Sequence, residues 1–124
     1  VSVSNYLEDK LLDLVFNATA YSGQSTVYVK LHLGDAGEAG TTNAAAETTR
    51  AAVTFGASSS GTVTSDSDAT WTNVSTTETY SHISLWDASS AGNCLWAGAL
   101  TASKAVTAGD TFTISSGSLT VSID

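Results

Sequence analysis

The chain of 124 residues has no proline, no methionine, one cysteine and only four basic residues against twelve acidic ones. Each shortage excludes something. A lone thiol, Cys94, cannot close an internal disulfide, so the fold is not a small secreted scaffold held by disulfides. Lys10, Lys30, Arg50 and Lys104 are the only bases, and the formal charge is −8. Too few cations are present to displace counterions from phosphate, so no direct nucleic-acid contact is expected, and no anchorage to an anionic membrane. No apolar run approaches the roughly eighteen residues of a membrane span, and no basic start followed by an apolar centre marks a signal peptide. The chain is expected to be soluble. Its start at Val1 without any methionine points to a removed initiator or a trimmed beginning. The absence of proline leaves strand edges unblunted, which favours pairing between subunits.

What is present points to strands. Hydrophobic residues make up 42% and charged residues only 13%, so the polar remainder is uncharged, with nineteen Ser and nineteen Thr. Thr suits a pleated surface, Ser and Gly suit turns, and long helices would need more Leu, Glu and Lys. The length fits one domain, residues 1–124. The expected fold is all-β: a single β-sandwich or barrel of about seven or eight short strands over 26–124, with one N-terminal amphipathic helix over 4–17.

The helix is predicted from Leu7, Leu11, Leu14 and Val15 at helical spacing, opposite Glu8, Asp9, Lys10 and Asp13, with Ser4 placed to cap it. Too short to stand alone in water, it must lay its apolar stripe on the domain or on a partner. From Thr26 to Leu33 the pattern alternates, with Val27, Val29, Leu31 and Leu33 on one face and Tyr28, Lys30 and His32 on the other. Gly34 to Thr49 is rich in Gly, Ala and acidic groups and is expected to be a long exposed contact loop. Strand character resumes at Arg50–Phe55, weakly at Gly61–Thr64 and around Trp71, and again at Thr111–Ile114 and Leu119–Ile123. Glu78–Trp86 and the run from Cys94 to Leu100 flank turn residues and predict a hairpin. If it centres on Ser90, Trp86 and Trp96 share one face, opposite Ile83, Leu85, Leu95 and Ala97.

Candidate chemistry is sparse. Neither His32 nor His82 stands in a motif that supplies a catalytic carboxylate or nucleophile, and no Gly-x-Ser-x-Gly elbow occurs, so no catalytic residue is expected. Asp35 with Glu38, and Asp66 with Asp68, resemble parts of a cation loop but complete none, and no metal or other cofactor is expected. Cys94, heading an apolar strand, reads as a buried inert thiol. Trp71, Trp86 and Trp96 with Tyr80 fit a core, an interface or an aromatic platform for sugar.

Several segments together resemble a family of small tailed-bacteriophage virion structural proteins, of the capsid-cement or tail-fibre-like kind. They are Ser4–Tyr21 (SNYLEDKLLDLVFNATAY), Thr26–Leu33 (TVYVKLHL) with the GDAGE turn behind it, Arg50–Gly56 (RAAVTFG), the WDASSAGN hairpin with LWAGAL, and the ending LTVSID. The sequence departs from that pattern at Asp35-Ala-Gly37 and Glu47-Thr-Thr-Arg50, where related chains have Asp-Pro-Gly and Gly-Tyr-Ala-Arg. The resemblance implies a non-catalytic virion protein. Its first expected role is a cement on the outer surface of the phage head, stabilising the lattice of the major capsid protein and self-associating as a homo-oligomer. An acidic chain repelled by packaged DNA suits the outside of the shell. The alternatives are a tail-fibre or tail-tip component recognising a host-surface glycan, and an unrelated carbohydrate-binding module. The residues expected to serve partner or self contacts are Tyr28, His32, Asp35, Glu38, Trp86 and Trp96.

Overall fold

The computed structural model describes residues 2–123. Strand β1 (Ser2–Val3) leads into helix α1 (Asn5–Phe16), and Ser4 joins them. The Ser4 side chain accepts the Leu7 amide as helix cap and donates to the Cys94 carbonyl, so one residue starts the helix and ties it to the sheet. The helix ends where Asn17 donates its backbone amide to the Asp13 carbonyl. Leu7 packs against the core, yet no residue of the helix is fully buried.

The remaining strands are β2 (Val27–His32), β3 (Ala51–Val53), β4 (Thr62–Thr64), β5 (Ala69–Trp71), β6 (Glu78–Trp86), β7 (Cys94–Val106), β8 (Phe112–Ile114) and β9 (Thr120–Ser122). An antiparallel five-stranded sheet runs β1-β7-β6-β2-β3, and two small antiparallel sheets pair β4 with β9 and β5 with β8. The protein is therefore all-β with one N-terminal helix, the strands as composition indicated and the helix as the spacing of Leu7, Leu11, Leu14 and Val15 indicated. Residues 115–118 do form a turn, but β8 and β9 on either side of it pair with different strands rather than with each other.

The alternation of β2 decides which face is core. Val29 and Leu31 are wholly buried and stand opposite Leu85 and Ile83 of β6. Each such side chain contributes about 1.5–3 kcal/mol by leaving water. Against them pack Trp71 of β5 and Phe112 of β8, whose rings stack at 5.5 Å, and Tyr80, whose ring lies 5.3 Å from Phe112. Leu33 does not continue the inner row. It lies beyond the end of β2 and is 45% exposed.

The β6–β7 hairpin contains the main departure from the expected register. Trp86 pairs with Cys94, as a turn centred on Ser90 requires, but the next pair is Leu85 with Trp96. Leu95 is an extra residue, a bulge, and from there to Ala99 the β7 side chains change face. Trp96 therefore lies with Leu85 and Ile83 in the core, 5% exposed, and not beside Trp86. Gly98 permits this, because a Cβ there would collide with the Trp96 ring. A second irregularity between Tyr80 and His82 sets Ser81 against Leu100–Ser103 and carries β7 on to Val106, well past Leu100.

The Gly34–Thr49 segment is a loop with most of its residues exposed, as its composition predicts, but it is anchored at four buried positions. Ala36, Gly40, Ala45 and Glu47 are buried, and the chain is bonded back on β2 through Leu33 N to Asn43 O and Ala45 N to Leu31 O. Gly40 is the small residue that close packing requires, since a Cβ there would meet Cys94 and Trp86.

Candidate functional site

The six residues expected at a contact surface separate into two groups. Tyr28 is half-buried, and Asp35 and Glu38 are exposed. His32, Trp86 and Trp96 are 0%, 6% and 5% exposed, so their side chains are held inside the fold. His32 follows Tyr28 and Lys30 on the outer face of β2, where the Gly34–Thr49 segment covers it.

His32, Ser84 and Trp86 form one buried chain of hydrogen bonds. His32 Nδ1 lies 2.8 Å from the Thr42 carbonyl and must donate to it; Nε2 then accepts from Ser84 Oγ at 2.7 Å, and Ser84 Oγ accepts from Trp86 Nε1 at 2.7 Å. The partners fix the tautomer, and burial pushes the His32 pKa down, so the ring is neutral and structural.

Trp86 is covered from several sides. The Arg50 guanidinium sits 4.0 Å from its ring centroid, and Lys30 Nζ 6.0 Å away. Arg50 also donates to the carbonyls of Ala88 and Ala91, both at 2.8 Å, and so locks the β6–β7 turn onto the tryptophan. Gly40 approaches from the long segment with φ at +68°, where a Cβ would lie 2.6 Å from Cys94 Sγ and 2.9 Å from Trp86 Cζ2. Burial drives the Cys94 thiol up to about 11, which leaves it protonated and unreactive at neutral pH.

What stays open is a hollow of about 430 Å³ above this cluster, lined by Asn5 and Tyr6 of α1, Glu38 and Thr41 of the long segment, and Trp86 and Asn93 of the hairpin. Sequence reasoning named Glu38 and Trp86 but missed Asn5, Tyr6, Thr41 and Asn93. Only the return of the helix start to the hairpin, through Ser4 and Cys94, brings them together.

The expected tryptophan platform does not form. Trp71, Trp96 and Tyr80 are core residues, 2%, 5% and 0% exposed. The candidate cation pairs are turn-makers: Asp35 accepts the Gly37 amide at 3.0 Å, Asp68 accepts the Ser116 amide at 2.7 Å, and Asp66 accepts the Thr54 hydroxyl. Glu78 takes the amides of Ala46 and Glu47, both at 3.1 Å, while the buried Glu47 takes that of Ser75 at 3.0 Å. Among the described residues no group of three or more His, Cys, Asp or Glu could hold a metal ion. No described helix is long and apolar enough to cross a membrane.

The fold is strand-built, and several of its acidic side chains hold loops in place by accepting backbone amides. The chain belongs to the family described as Podophage GP4 fiber I protein gp80, which matches residues 2–122. It is a phage virion structural protein of fibre type, and the resemblance seen in its sequence stands on that match. The fibre description favours the tail-fibre alternative over the outer-head cement reading. None of the curated proteins compared matches the chain.

Proposed function

We propose that the protein is a non-catalytic building block of a phage tail fibre, associating with copies of itself and with neighbouring virion proteins and touching neither nucleic acid nor membrane. The observation that carries this is the fibre-family match across residues 2–122. The arrangement of titratable groups supports it: His32 is neutral and enclosed, Cys94 is protonated, and Glu47, Glu78, Asp35 and Asp68 accept backbone amides. The test is a cryo-electron-microscopy reconstruction of the intact virion. Density for this fold projecting from the tail supports the reading. Density at junctions of the major capsid protein on the head would restore the cement role.

A second reading is favoured by the hollow at Trp86. An aromatic ring from Tyr6 beside the amides of Asn5 and Asn93, the Thr41 hydroxyl and the Glu38 carboxylate offers both a face and the paired donors and acceptors that a saccharide presents. The ligand class is a neutral or cationic host-surface glycan, because the chain carries a charge of −8. Binding of purified host polysaccharide that is lost in Tyr6→Ala and Glu38→Gln, with the fold intact by circular dichroism, supports it. Equal binding by all three proteins rules this hollow out.

A further inference from the structure

The last turn and a half of α1 carries four large apolar side chains, and all are exposed: Leu12 55%, Leu14 42%, Val15 69% and Phe16 76%. At the helical repeat they spread over roughly 200° of the circumference, so no rotation of the helix could bury them all on its own body. A helix apolar over so wide an arc is normally enclosed. The end of α1 is a knob.

An apolar groove adjoins it. Leu12 shares a hollow of about 270 Å³ with Val3, Leu11, Ile123 and one carboxylate, Glu8, and Ile123, 66% exposed, also borders a second hollow of about 190 Å³ between Val63 and Val121. Knob and groove are thus continuous on one copy.

Area and charge identify the occupant. The exposed parts of Leu12, Leu14, Val15, Phe16 and Ile123 together amount to roughly 600 Å² around the protruding helix end, most of the ~800 Å² per partner in a standard interface. A second copy, also at −8, can approach only where carboxylates are missing. The remaining border of the Val63–Val121 hollow meets that condition, being formed by Ser58, Gly61 and Thr62 without any charge. We propose that the α1 knob of one copy, led by Phe16, seats in the Val63–Val121–Ile123 hollow of a neighbouring copy. Each copy carries both parts, and a reciprocal exchange of knob and hollow about a two-fold axis closes the assembly. The interface does not depend on where the protein sits in the virion.

Sedimentation equilibrium of the full chain over a wide micromolar range tests this, together with Phe16→Asp in the knob and Val63→Asp in the hollow. The expected result is a self-associating wild type, association weakened by about tenfold or more in each variant, and partial recovery when the two variants are mixed, since one intact knob then meets one intact hollow. Circular dichroism checks that each variant is folded, and Ile123→Asp replaces Val63→Asp if the latter is not. A wild type that stays monomeric throughout, or an oligomer that neither a knob nor a hollow variant weakens, overturns the proposal.

Discussion

His32 and Trp86 are joined through one hydroxyl: Ser84 Oγ lies 2.7 Å from His32 Nε2 and 2.7 Å from Trp86 Nε1. The arrangement works only while the imidazole is neutral, since a proton on Nε2 would leave the Ser84 hydroxyl nothing to donate to. The ordinary histidine pKa is 6.5 and burial lowers it in the folded chain. Between the folded value and 6.5 the unfolded chain binds more protons, so stability rises with pH through that window and is level above it. Resistance of the wild type to urea should weaken as pH falls below about 6.5, and His32→Gln should be less stable at neutral pH and lack that slope. An equal slope in both proteins would assign it to other groups.

Arg50 is expected to resist conservative replacement. A lysine can lie over the Trp86 ring but cannot also reach the two carbonyls of Ala88 and Ala91 as a planar guanidinium does. Arg50→Lys should lose about 1–2 kcal/mol, close to the loss in Arg50→Ala, and should alter tryptophan fluorescence. Full stability in the lysine variant would show that the ring contact alone matters.

Glu78→Ala should release the long segment. Two backbone amides, those of Ala46 and Glu47, lose their acceptor, at a cost of about 1–3 kcal/mol. Hydrogen exchange is the direct readout: those two amides should exchange faster while the Val29 and Leu31 amides in β2 keep their protection. Replacing the whole of Gly34–Thr49 by a flexible linker should be more damaging still, because its buried alanines and Glu47 go with it.

Gly40→Ala tests how tightly that segment packs. The added methyl must displace Cys94 Sγ and Trp86 and also holds φ at +68°, so a loss of about 1–3 kcal/mol is expected. An unchanged melting temperature would mean the segment can lift from the sheet without cost.

Much of this fold was legible because its alternation is clean. The Val27–Leu31 row, the Ser4 cap and the turn at Ser90 each follow from local residue types, and the structure places them as expected. The face of Trp96 was not legible, because a bulge at Leu95 leaves no mark in the hydrophobic pattern: Cys94, Leu95, Trp96 and Ala97 form an unbroken apolar run that fits either register. β1 escaped notice for a different reason. A two-residue strand has no period, and only its pairing of Val3 with Trp96 reveals it. The site was read less well than the fold, since His32 and Trp86 look like surface residues until the long segment is laid over them.

The attachment of α1 has a mechanical consequence. Its covalent path into the described fold at the leading end runs through β1, paired with β7 at Ser2–Ala97 and Val3–Trp96, and through Ser4, bonded to Leu95 and Cys94. Tension applied at the leading end of the chain meets this short clamp first, because the far end of the helix is joined to β2 only through residues 17–26. Under load the clamp should give way first and let the helix swing clear while the Val29–Leu31–Ile83 core stays intact. A fibre subunit built this way has a yielding joint in series with a stiff body.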